Sequence, residues 1–558
     1  MDFKQSIINA VKKEANVEVA LEVPPNPDLG DFALPCFQLA KALRKNPAQI
    51  AQELAKKLAI KGIARIEAKG PYLNFFVDKG TNAEKVLTAI SDDALYGSSG
   101  EGKGKHALIE HTSNNPNADI HVGRARNSII ADSVVRLLKF QGYATDVHYF
   151  VNDIGKQIAM LVLAANGKKP AYEQLLKLYV DFNAKLKEND DLEQDVFALL
   201  KKLEDGDAKV RKQFRGIVDN CIKGQRAILS DVGIEFDSFD YESEYLFNKR
   251  TEEVLAALKR TGKLFTDEQQ RQVLDLKGFP EVEKGMKNPV LVLTRSDGTS
   301  LYPLRDIAYT MDKASWAKGR NILLLGEDQK LYFQQVAAAL SLLKVAPPEI
   351  VHYAFIVLAD GKMSTRSGNV VLFSEFAKEA VERARKEILA RTPDMKGKAL
   401  DALARMIGHG AIKFSIIKVS PDKMITFDWD QALSFEGDSG PYVQYAYARI
   451  NSILEKHKRK RPKPDYSVLT HEAERNLINH LGRFPDAVSQ ASKNLEPHVI
   501  ANYARELAQL FTAFYHSCPV LQAGEDRLVD ARLALCIATQ SVLKTALGLL
   551  GIDTPESM

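Results

Sequence analysis

The sequence predicts an α/β protein built on a parallel sheet, preceded by a small α+β domain and followed by an all-α bundle. Three observations predict it. A short apolar strand, a polar loop, a long helix and a second strand run in order from Lys105 to Val151. Further apolar runs recur at Val290–Thr294, Ile322–Leu325 and Val351–Leu358. From about residue 411 onward, apolar residues fall almost only at helical spacing. A strand–helix–strand unit implies a right-handed crossover, and hence parallel strands.

Residues 1–80 read as the α+β domain. Ser6–Lys13 is helical, Pro24–Pro27 breaks the chain, and Asn46-Pro47 starts a helix reaching Leu58. Ile63–Phe76 alternates as strands about a turn at Gly70-Pro71. Residues 81–410 form the sheet domain. Ala107-Leu108-Ile109 is a buried strand ending at Glu110, and Ile129–Leu138 is a helix stopping at Gly142. A charged helical insertion is expected at about 165–250. Residues 411–558 form the bundle, with helices at Glu472–Leu481, Val499–Phe514 and Asp530–Leu550.

Composition excludes several classes. At 558 residues the chain exceeds one core, while 45% hydrophobic and 27% charged residues are ordinary for globular protein. Cys36, Cys221, Cys518 and Cys536 lie far apart, so neither a zinc site nor a disulfide framework is expected. No stretch approaches the roughly 18 apolar residues of a membrane span. The N-terminus lacks a signal-peptide pattern. A net charge of +4 neither announces nucleic-acid binding nor excludes it. The basic run Lys456–Pro464 reads as a solvated loop or as a contact to a nucleic-acid backbone.

Two segments carry chemistry. His121-Val122-Gly123-Arg124 sits where a loop leaving a strand enters a helix. The free N–H groups and dipole of a helix start favour phosphate there. Gly123 admits a purine or ribose close to the backbone, His121 can donate to phosphate oxygens, and Arg124 adds positive charge. Asp360–Asn369, containing Lys362-Met363-Ser364-Thr365-Arg366, is a cationic loop with two glycines. It is suited to closing over the β- and γ-phosphates. Among the acids, Glu110 and Asp306 are expected at strand ends near the pocket. Taken singly, each reads better as half of a structural salt bridge.

Together the two segments resemble the HIGH and KMSKS motifs of class I aminoacyl-tRNA synthetases, with Arg124 and Thr365 departing from the usual second histidine and second lysine. Glu110–Pro116, Leu301–Asp306 and Phe427–Ile450 narrow the resemblance to arginyl-tRNA synthetases. It implies a Rossmann-like (HUP-type) catalytic domain, an N-terminal domain touching the tRNA elbow and an anticodon-binding bundle. It implies ATP-dependent ligation of L-arginine to tRNA(Arg) through arginyl adenylate, with ATP as substrate together with Mg2+. By this resemblance His121, Gly123, Arg124, Lys362 and Arg366 are catalytic, and the first four also bind ATP with Met363 and Ser364. Tyr302 and Asp306 take the guanidinium, while Ser113, Asn115 and Gln329 lie near the α-amino and carboxylate groups. Glu110 serves either end. A carboxylate and a phenol match a planar group with five donors. Tyr72, Asn74, Tyr442 and Arg449 are the candidate tRNA contacts, although for Phe435, Tyr442, Tyr445 and Arg449 packing of the bundle onto the catalytic domain is the favoured reading over stacking on bases. A cytoplasmic monomer without a membrane partner is expected. A nucleotidyl transferase without tRNA would leave the bundle unexplained, and a non-catalytic relative would be expected to lack His121, Gly123 and the basic loop.

Overall fold

The structure is a computed structural model that describes residues 3–24, 26, 29–358, 371–457 and 464–558. The helix Phe3–Ala15 buries Phe3, Ile7, Val11 and Ala15, one residue per turn. It shares a core with a three-stranded antiparallel sheet of order β1-β3-β2: β1 Phe32–Pro35, β2 Ile63–Lys69 and β3 Tyr72–Val77. Gly70 turns β2 into β3 at φ 57°. Asn46 caps the helix Pro47–Lys57 by accepting the Ala48 N–H.

The central sheet begins with β4 His106–Glu110, β5 Ala144–Val151 and β6 Ser238–Tyr241. A separate antiparallel sheet follows, of β7 Leu264–Thr266, β8 Gln272–Asp275 and β9 Val290–Val292. The chain then returns to the central sheet as β10 Arg320–Gly326 and β11 Glu349–Tyr353. The central order is β11-β10-β4-β5-β6, every pair parallel. A two-stranded parallel sheet, the fourth sheet, joins β12 Ile356–Leu358 to β13 Ile425–Phe427, carrying the strands of this region past residue 410.

Two expectations need correction. Val290–Thr294 does not enter the parallel sheet. Its burial alternates, as in a half-covered antiparallel strand, whereas β4 is buried almost throughout. Residues 238–241, expected inside the insertion, form the edge strand of the central sheet. Ser238–Tyr241 is partly exposed along its length and carries no apolar run to signal a strand. The inserted helices themselves are Leu175–Leu186, Asp190–Glu204 and Ala208–Asp231.

The order changes direction between β4 and β10, which opens a crevice at their carboxyl ends. The helix Val122–Phe140 starts in that crevice and is buried on most of its faces. The C-terminal bundle contains the helices Gly440–Lys456, Glu472–Gly482, Phe484–Asn494, His498–Ser517 and Asp526–Leu549. It meets the helix Gly397–Ile417 with backbones nearly touching. A methyl group at Gly440 would lie 2.6 Å from the Gly410 carbonyl oxygen. Among the described residues no helix is long and apolar enough to cross a membrane.

Candidate active site

The loop after β4 turns through two left-handed residues, Thr112 (φ 68°) and Ser113 (φ 43°), neither of them glycine. Such backbone persists only where its surroundings hold it. Here Asn127 accepts the Thr112 N–H at 3.0 Å, and the Thr112 and Ser128 hydroxyls are 2.7 Å apart. Asn127 in turn donates to the Leu324 carbonyl of β10 at 3.1 Å. The helix that follows the loop therefore clamps it to the sheet.

His121 is the N-cap of that helix. Its Nδ1 accepts the Gly123 N–H at 3.0 Å. That bond puts the ring proton on Nε2, which is left as a donor. Burial, helped by the Arg124 charge, holds the imidazole below its ordinary pKa, so it is neutral near pH 7. Arg124 lies 3.7 Å from Asp328, just beyond β10, and both side chains are 43% exposed. An exposed pair of this kind is weak enough to open for a phosphate.

Lys362, Met363, Ser364 and Arg366 lie outside the described residues. The segment beyond them is stitched to the His121 turn. The Val122 N–H donates to the Val371 carbonyl at 3.1 Å, and the Phe373 N–H to the Ile120 carbonyl at 2.7 Å. Leu372 bridges His121. Arg126, which sequence reading missed, is fully buried and donates to the Lys423 carbonyl at 2.8 Å and to the Ala354 carbonyl. It thereby ties this helix to the chain around β12 and β13.

Beside the helix start is a cavity of about 380 Å³ that brings together Glu110, Ser113, Asn115, Tyr302, Asp306 and Gln329. Asp306 is not at a strand end. It lies with Tyr302 on the helix Tyr302–Trp316, where Pro303 occupies the first turn, and the four-residue spacing puts both on one face. Sequence reading missed Glu242, Tyr332 and Lys313 in the same wall.

The cavity charges are unevenly compensated. Glu110 contacts the buried Lys313 ammonium and accepts the Ser113 hydroxyl at 3.2 Å. Glu242 accepts from Arg305 Nε at 2.6 Å. Asp306 accepts the Tyr332 hydroxyl and has no ion-pair partner among the described residues. Burial foremost, then the nearby Glu242, pushes its carboxyl up to about 7. The cavity is thus short of one cation, at Asp306.

Away from the cavity, Tyr72 is 38% exposed and meets the exposed Phe37 edge-on at 6.2 Å. Asn74 is only 4% exposed, between Ala33 and Glu67 in the flanking strands, so of the two Tyr72 alone offers a free face. In the bundle, the Arg449 guanidinium lies 4.8 Å from the Tyr445 ring and 5.0 Å from the Tyr515 ring. Tyr442 is bound to Thr512 at 3.3 Å. Phe435 packs instead into the apolar cluster around Leu433 and carries Arg391 on its ring at 3.8 Å. Packing therefore claims Phe435, while Arg449 and Tyr515 keep a cationic, aromatic surface.

Comparison with known proteins finds three family models along the chain. "Arginyl tRNA synthetase N terminal domain" matches residues 1–77, "tRNA synthetases class I (R), catalytic domain" residues 85–429, and "DALR anticodon binding domain" residues 443–558. The arginine–tRNA ligase of Methanocaldococcus jannaschii is 37% identical, over 100% of both chains. That of Clostridium perfringens is 36% identical, again over 100% of both. The solved arginyl-tRNA synthetase of Thermus thermophilus superposes with a TM-score of 0.83 at 30% identity, covering 100% of this chain and 99% of that one.

Proposed function

The chain belongs to the arginyl-tRNA synthetase family, and on that premise we propose that it joins L-arginine to tRNA(Arg) at the expense of ATP, through arginyl adenylate. The arginine carboxylate attacks the α-phosphorus of ATP, pyrophosphate leaves, and a terminal ribose hydroxyl of tRNA then takes the arginyl group and releases AMP. Mg2+ enters with the ATP phosphates. The setting is the cytoplasm and the acting species a monomer.

The observation that carries this reading is the cavity with one uncompensated carboxylate, next to a helix start capped by His121. Asp306 receives the guanidinium and Tyr302 its edge. Ser113, Asn115 and Gln329 hold the α-amino and carboxylate groups. Glu110, already matched by Lys313, shapes the floor. His121 Nε2–H, the Gly123 backbone and Arg124 face the phosphates, where negative charge grows as the pentacoordinate state forms. Lys362, Met363, Ser364 and Arg366 complete the ATP site, with the two cations on the departing pyrophosphate. Tyr72, Arg449 and Tyr442 contact tRNA, with Asn74 supporting Tyr72 from within the sheet.

The test is ATP–pyrophosphate exchange with each amino acid, with tRNA(Arg) present. Exchange should require arginine, and exchange driven by another amino acid would refute the reading. Lys362→Ala or Arg366→Ala should lower kcat for exchange by at least about tenfold in one of the two, with a smaller change in ATP binding. Equal, small changes in both constants would remove these residues from the transition state.

A pH dependence follows from Asp306. Only its ionised form pairs with a guanidinium, and without ligand its carboxyl titrates at about 7. Below that pH, arginine must expel a proton to bind. The KM for arginine should therefore rise as pH falls through 7, approaching roughly tenfold per pH unit, and level off above it. A KM that is flat from pH 6 to 8 would show that Asp306 is already ionised in the free enzyme.

A further inference from the structure

The loop that leads to His121 is gripped from outside the sheet. Gln225, on the inserted helix Ala208–Asp231, donates to the Ala118 carbonyl at 2.8 Å and to the Asn115 carbonyl at 3.3 Å. The next residue, Asp119, continues this grip in two directions. Its carboxylate accepts the Tyr172 hydroxyl at 3.3 Å and the Ser374 hydroxyl on the other side. It also accepts the Ile120 N–H at 2.6 Å.

The three partners come from distinct elements. Tyr172 opens the insertion, and its ring lies flat on the inserted helix at Gly224. A methyl group at Gly224 would sit 2.3 Å from that ring. Ser374 is in the first turn of the helix Phe373–Arg391, whose own N-cap residue, Leu372, supplies no side-chain acceptor. Asp119 supplies one from across the chain, and a carboxylate at a helix N-terminus is favoured by the dipole. Ile120 leads into His121 and accepts the Phe373 N–H. A cavity of about 600 Å³ lies along Asp119, Tyr172 and Ser374. Close packing therefore does not hold the carboxylate on that side; its hydrogen bonds do.

We infer that Asp119 is a positioning residue for adenylate formation, locking the chain that follows the basic segment and the insertion to the His121 turn in one register. The inference rests on the function proposed above and deepens it. The groups that Asp119 binds are the Ile120 N–H and the Tyr172 and Ser374 hydroxyls, all of them protein groups. Asp119 acts through His121 and through residues 371–374, so its loss is felt where phosphate geometry matters and not in the arginine cavity. Misplacement of reacting groups by about an ångström costs up to roughly a hundredfold in rate.

The experiment is ATP–pyrophosphate exchange with arginine and tRNA(Arg) on the full-length wild type and on Asp119→Ala, Asp119→Asn and Tyr172→Phe. For Asp119→Ala, kcat should fall about tenfold to a hundredfold, while KM for arginine stays within about twofold. Asp119→Asn keeps an acceptor for Ser374 and should recover most of the loss. Tyr172→Phe, which removes only a hydroxyl, should fall between them. Wild-type kcat in both Asp119→Ala and Tyr172→Phe overturns the inference. So does no recovery in Asp119→Asn, or a loss in Asp119→Ala that lies in KM for arginine. A wild type without arginine-dependent exchange refutes the proposed function itself, and the inference falls with it.

Discussion

Replacing Asp306 with alanine should raise the KM for arginine by a hundredfold to several thousandfold and leave the KM for ATP nearly unchanged. The magnitude follows from the charge pattern of the cavity. Glu110 and Glu242 already have Lys313 and Arg305 against them, and Asp306 alone awaits a cation. Removing it leaves a buried guanidinium unpaired, a loss of about 3–5 kcal/mol. Asp306→Asn should be nearly as damaging, because it keeps the shape and a hydrogen bond but no charge. The check is a pair of steady-state KM values from the exchange reaction. A variant that loses ATP affinity and keeps arginine affinity would move Asp306 out of the amino-acid site.

The second large effect should come from His121. Asparagine is a good N-cap, so His121→Asn retains an acceptor for the Gly123 N–H while removing the Nε2–H donor. Loss of a donor aimed at developing charge costs about a hundredfold to a thousandfold in kcat, or roughly 2.7–4 kcal/mol. The Tm of His121→Asn should stay close to wild type, whereas His121→Ala should lose about 1 kcal/mol of stability as well, through the missing cap. Wild-type kcat in the asparagine variant would leave His121 a cap and nothing more. Because burial keeps the ring neutral, its protonation should affect kcat only below the ordinary histidine range.

Much of the site was legible without coordinates. His121 precedes an apolar helix at a helix-start position, and its ring takes the N-cap role there although histidine is not among the residues that position favours. Tyr302 and Asp306 are four residues apart, so wherever a helix forms they share a face. What misled the reading was the element they belong to, since Leu301–Asp306 also fits the end of a strand. Tyr72 and Asn74 share a strand face by alternation. Both are flanked by a strand on each side, and the fold buries Asn74 while Tyr72, at the start of β3 beside the Gly70 turn, stays exposed.

Residue pattern was enough for the parallel sheet, the helix start at His121, the bundle and six of the residues that line one cavity. The sheet, the helix start and the bundle follow from local periodicity, capping and spacing, which act within a few residues, whereas the cavity residues were named by the resemblance to arginyl-tRNA synthetases. Which carboxylate lacks a cation emerges only from packing across the fold. Arg305 and Glu242 are 63 positions apart, and Lys313 and Glu110 are 203 apart. Packing also decided that Ser238–Tyr241 completes the sheet and that Asp119 meets Tyr172 and Ser374. The physical reason is the same in each case. Charge compensation and carboxyl pKa depend on burial and on partners brought close by packing, and no local pattern encodes those distances.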